Sequence, residues 1–99
     1  MEKYEYGYLN IVSARTSHAT PGTYAFVQTG AGLVVSRVLA GNVAVFNGLG
    51  AEGWLIGEAT YSTNAASGLN WMHKAISEQV EKVEVVLSTL TYFMRRRLD

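Results

Sequence analysis

The chain has 99 residues, 48% hydrophobic and 11% aromatic, and its eight acidic and eight basic side chains cancel. That length predicts one domain spanning residues 1–99, small enough that association would help it, and the balanced charge gives no global electrostatic reason to seek nucleic acid or a membrane, so neither is expected as a partner. The absence of cysteine excludes disulfides and thiolate metal sites and fits a reducing, cytoplasmic setting.

No apolar run approaches the roughly 18 residues of a membrane span, and the opening MEKYEYGY is too charged and aromatic for a signal peptide. The distribution of charge says more than its sum. From Tyr6 to Ala51 there is no acidic residue, and Arg15 and Arg37 are the only charged ones. Such a stretch points either to extra burial, as in a subunit interface, or to a Ser/Thr/Asn/Gly surface.

Tyr4 to Val12 (YEYGYLNIV) predicts the first strand, with Tyr4, Tyr6 and Tyr8 on one face and Leu9 and Ile11 on the other. A tyrosine stripe is either a stacking platform or, as preferred here, the half-buried face of a sheet with its hydroxyls in water. Gly7 marks a bulge or a close backbone approach. Ser13 to Thr23 (SARTSHATPGT) reads as a loop in which Arg15, Ser17 and His18 are the polar candidates.

Tyr24 to Val38 (YAFVQTGAGLVVSRV) predicts two short strands around Thr29-Gly30-Ala31-Gly32. Gly30 and Gly32 do not make a dinucleotide loop, because the third position of that pattern is Val35 and no P-loop lysine follows. From Leu39 to Gly50 a short helix is preferred over a second hairpin. Asn42 would cap it, Val43, Phe46 and Leu49 would share its inner face, and Gly50 would end it in a left-handed conformation.

Gly53 to Ala59 (GWLIGEA) enters a strand with Trp54 and Ile56 on one face and Leu55 on the other, and Tyr61 to Gly68 is a polar link. The clearest helix runs from Asn70 to Val80. Leu69, Met72, Ile76, Val80 and Val83 recur at helical spacing, and Lys74–Glu78 and Glu78–Lys82 are outward i,i+4 pairs. After it, the β-branched and aromatic run from Val83 to Arg97 favours a strand with a basic end over a continued helix.

The segment Asn47-Gly-Leu-Gly-Ala-Glu-Gly-Trp54 resembles the signature of a small, uncharacterised bacterial and phage domain family whose members carry an N-x-L-G-x-x-G-W-E-like motif between a short helix and a strand. Tyr4 to Tyr6 resembles the family's opening Tyr-x-Tyr strand, and Phe93-Met94-Arg95 its closing Phe-x-Arg strand. The chain departs from the pattern at Leu55, where the family usually has an acid, and in extra segments around residues 13–37 and 60–83. The resemblance implies an antiparallel sheet with a helix packed on it and supports the strand reading of the C-terminus. It implies no activity. The motif itself reads as a glycine reversal between two core anchors, Leu49 and Trp54.

Signals for chemistry are sparse. The two histidines, His18 and His73, lie far apart in sequence with no ligand spacing around them, so no metal or other cofactor is expected. No nucleophile elbow and no paired carboxylates are present. Arg95-Arg96-Arg97 either grips phosphates or ends an edge strand with charge; in a strand, Arg95 and Arg97 share a face that Arg96 does not.

The expected fold is α+β, a small antiparallel sheet of about four to five strands with one short and one longer helix packed on one face. The expected function is a non-enzymatic interaction module that forms a homo-oligomer, a dimer above all. The alternative is a module for a small anionic or aromatic ligand, a nucleotide included, with Tyr4, Tyr6, Tyr8, Tyr24 and Trp54 as the aromatic set and Arg15, Arg37 and Arg95, joined by His18, as its polar partners. An enzyme built on His18 or His73 is a weaker third reading.

Overall fold

The computed structural model describes residues 3–15, 21–63 and 70–98. Five strands, β1 (Tyr4–Arg15), β2 (Gly22–Thr29), β3 (Gly32–Arg37), β4 (Trp54–Thr63) and β5 (Val85–Arg97), form one antiparallel sheet in the order β3-β2-β1-β5-β4. Helix α1 (Asn42–Ala51) joins β3 to β4, and α2 (Asn70–Gln79) precedes β5. The α+β class and the strand reading of the C-terminus both hold. His18 and the link around residues 64–69 lie outside the described residues.

The central strand β1 explains the architecture. Leu9, Asn10, Ile11 and Val12 are consecutive and all buried, so both faces of the strand are covered. Tyr24, Ala25 and Phe26 in β2 repeat the pattern. Strand alternation and the pairing register divide these residues between two cores. On one face Leu9, Ile11, Ala25 and Met94 pack with Leu49 and Trp54, and with Val45 and Phe46 of α1. On the other, Val12, Ala14, Tyr24, Phe26 and Val35 pack with Met72 and Ile76 of α2 and with Val83. The helices therefore lie on opposite faces, where the sequence placed them on one. Each is ten residues long. A two-sided apolar sheet needs a cover on each side, and the α1 connection carries the chain across one face from edge strand β3 to edge strand β4.

The local details of α1 also differ from expectation. Its N-cap residue is Gly41, with no side-chain cap, and Asn42 is the first helical residue. Val45, Phe46 and Leu49 turn inward while Val43 is exposed. Gly50 remains helical, and the reversal falls at Gly53, whose φ of 92° is a conformation that side chains disfavour. In the β2–β3 hairpin, Gly32 takes the positive φ and the Thr29 hydroxyl accepts a hydrogen bond from the Ala31 N–H at 3.1 Å.

Gly7 is a close-approach position. A Cβ there would stand 2.5 Å from the Gln28 carbonyl oxygen and 3.0 Å from Met94 Cε. The absence of a side chain lets β1 and β2 pair above the Met94 side chain. The edge strand β4 carries a bulge between Ile56 and Ala59, next to Phe93 of β5.

Candidate functional site

The two helices leave part of the sheet open. On the α2 face, toward the start of β1 and the end of β5, the register aligns Leu55, Arg95 and Tyr6 in one row, Phe93, Tyr8 and Gln28 in the next, and Arg97 with Tyr4 beyond. Tyr6 is 57% exposed, Tyr8 45%, Phe93 52% and Leu55 61%. These exposed apolar side chains are contiguous across neighbouring strands.

The rings pack on one another without forming a single plane. Phe93 meets Tyr8 edge-on at 4.9 Å between centroids and Tyr6 at 6.3 Å. The Arg95 guanidinium stacks over the Tyr4 ring at 5.1 Å. Two shallow depressions flank this cluster. One, of about 300 Å³, is lined by Tyr6, Leu55, Gly57, Phe93 and Arg95; the other, of about 410 Å³, by Tyr6, Tyr8, Gln28, Thr29 and Phe93. Tyr6 and Phe93 border both, so the surface is continuous over four strands.

The sequence-derived candidates divide accordingly. Tyr4, Tyr6, Tyr8 and Arg95 come together on the open face. Tyr24 and Arg37 share that face but are engaged near α2: the buried Tyr24 hydroxyl donates to Glu81 Oε1 at 2.5 Å, and Arg37 reaches the same oxygen at 2.8 Å. Burial above all, then the hydrogen bond and the charge of Glu81, push the Tyr24 hydroxyl up to about 12, against a smaller lowering by Arg37. Arg15 is exposed at the opposite end of β1, where its carbonyl accepts from the Glu84 N–H at 2.9 Å.

Trp54 does not belong to the aromatic set. It is 4% exposed on the α1 face. Arg96 covers its ring at 4.6 Å, donates to Glu5 Oε1 at 2.6 Å through Nε, and reaches the Glu52 carbonyl at 3.3 Å. Trp54, Arg96 and Glu5 occupy one cross-strand row, so this tryptophan anchors the α1–β4 reversal. Phe93 and Leu55 are the members of the open surface that sequence reasoning missed. Their alternation with Met94 and Trp54 was visible, but the register that sets them beside Tyr6 and Tyr8 was not.

Among the described residues, no group of three or more His, Cys, Asp or Glu is placed to hold a metal ion, and no helix is long and apolar enough to cross a membrane. Compared with known proteins, the chain matches no family model, no curated protein and no solved structure.

Proposed function

We propose that this protein is a non-enzymatic binding module whose working surface is the open half of the sheet, and that its partner carries planar and anionic groups. The observation that supports this reading is the cluster of half-exposed Tyr6, Tyr8 and Phe93 with Arg95 on the same face. No carboxylate pairs with Arg95 among the described residues. Shallow, open depressions suit a docked surface better than an enclosed metabolite pocket. The test is a titration of the labelled protein with a panel of aromatic anions, nucleoside monophosphates included, followed by amide shifts in NMR. The reading expects shifts at Tyr6, Tyr8, Phe93 and Arg95; a panel without effect, or shifts confined elsewhere, contradicts it.

A second reading, homo-oligomerisation, draws on a different surface. Residues 38–51 carry no charge, and Val34, Leu39 and Val43 are exposed around the β3–α1 connection. An uncharged apolar surface meets a copy of itself without repulsion, and a stable dimer buries about 800 Å² per partner. Sedimentation equilibrium decides it: a dimer that dissociates when Leu39→Lys and Val43→Lys are combined supports the reading, and a monomer at micromolar concentration removes it.

A further inference from the structure

We infer that the outer edge of β4, over residues 59–63, is where two copies of this chain join. The edges pair antiparallel about a two-fold axis at Tyr61, so that two sheets become one. This interface is separate from the Leu39 and Val43 surface and does not depend on it.

The two edges of the sheet are treated differently. On β3, the Val35 N–H and the Leu33 carbonyl are already taken by the Gln79 side chain. On β4, among the described residues, no hydrogen bond reaches the outer edge from beyond the sheet. The first half of β4 is guarded in another way. A bulge falls between Ile56 and Ala59, and Glu58, the only charge in the strand, lies within it. Bulges and charges both discourage edge pairing. From residue 59 to residue 63 neither device is present. Pairing with β5 runs regularly from Ala59 opposite Tyr92 to Thr63 opposite Ser88, and no residue is charged. A regular, uncharged edge offers its free N–H and C=O groups to another strand.

The charge and ring positions favour a second copy as that strand. Tyr61 is 62% exposed, and its row, with Leu90 and Ile11, places it on the α1 face. An antiparallel pair centred on Tyr61 has its axis normal to the sheet, which sets the two rings side by side on one face. Cross-strand aromatic pairs stabilise a sheet. In this register the two Glu58 residues stand six positions apart along the strand, about 20 Å. That exceeds the distance of about 8 Å over which salt screens exposed charges. A register shifted toward the bulge would bring the two acids together. Because Gln79 occupies the β3 edge, pairing closes at two copies and does not continue head to tail into a filament.

The same axis sets the Tyr6, Tyr8 and Phe93 surfaces of both copies on one side of the joined sheet. A contact of five edge residues is smaller than the about 800 Å² per partner of a stable dimer, so this association is weak and reversible.

The experiment is sedimentation equilibrium up to about 1 mM, on the parent chain and on the Leu39→Lys/Val43→Lys variant. The inference expects the average mass of both to rise from one chain toward two through about 0.1 mM, and to stop there. Tyr61→Lys and Tyr61→Glu should each weaken association at least about tenfold, because like charges then face each other across the axis. An equimolar mixture of the two should associate again. Tyr61 is exposed, so these variants should fold, and circular dichroism verifies it. In the parent, the amide shifts that change with concentration should fall on residues 59–63. Undiminished association of either folded variant, a mixture no heavier than its components, or a mass that grows past two chains would overturn the inference. So would a monomer at every concentration, which leaves the edge to a strand of another protein. Association abolished by Leu39→Lys/Val43→Lys and untouched by Tyr61→Lys would overturn it while the homo-oligomer reading stands.

Discussion

The side chain of Gln79, at the end of α2, stands against the outer edge of β3 as a neighbouring strand would: its Oε1 accepts from the Val35 N–H at 3.0 Å and its Nε2 donates to the Leu33 carbonyl at 3.4 Å. One side chain thus occupies a donor and an acceptor that an edge strand otherwise offers to other chains.

Gln79→Ala removes both bonds, at about 1 kcal/mol each. Thermal unfolding should show that loss. Size-exclusion chromatography with light scattering should show association that grows with concentration, because the Val34-Val35 edge becomes available for pairing. A variant that is destabilised but strictly monomeric would show that this edge is protected by other means.

Tyr24 makes stability fall at high pH. Its proton is held up to about 12 in the folded protein against 10.0 for an ordinary tyrosine. The folded state thus binds the proton more tightly, so the contribution is complete below pH 10 and is lost as pH rises from about 10 to about 12. Tyr24→Phe should cost about 1–2 kcal/mol at neutral pH. Over that alkaline window its melting temperature should decline less than that of the parent protein.

Gly7→Val should be among the most damaging single changes. Its Cβ would fall 2.5 Å from the Gln28 carbonyl oxygen, a backbone atom that cannot move without parting β1 from β2. A loss of about 2–3 kcal/mol is expected in urea unfolding. Gly30→Ala is the control, with nothing within 4 Å of the added carbon, and should change stability little.

Arg96 joins three elements through Glu5, the Trp54 ring and the Glu52 carbonyl. Arg96→Met keeps the apolar stem but loses the charge, and should cost about 1 kcal/mol. Arg96→Lys should not restore it fully, because an ammonium cannot span the carboxylate and carbonyl while lying flat on an indole.

Much of this fold was legible because strands alternate. Tyr4, Tyr6 and Tyr8 opposite Leu9 and Ile11, Trp54 and Ile56 opposite Leu55, and Arg95 with Arg97 opposite Arg96 all follow from period two, and all hold. The consecutive buried residues Tyr24-Ala25-Phe26 carried a signal that was not used: an apolar run of this kind implies a cover on both faces. What could not be read was non-local. The sequence gives no local sign of which face a connecting helix crosses, so the helices were placed together. The lack of charge from Tyr6 to Ala51 is met in large part by burial of β1 and β2 within the chain's own cores.

The most direct test of the account is the map of amide chemical shifts when isotope-labelled protein is titrated with aromatic anions, nucleoside monophosphates included, at low salt. The account predicts that the largest changes fall on Tyr6, Tyr8, Leu55, Phe93 and Arg95 and disappear in Phe93→Ala. Changes centred instead on Leu39 and Val43, or no changes in folded protein, would contradict it.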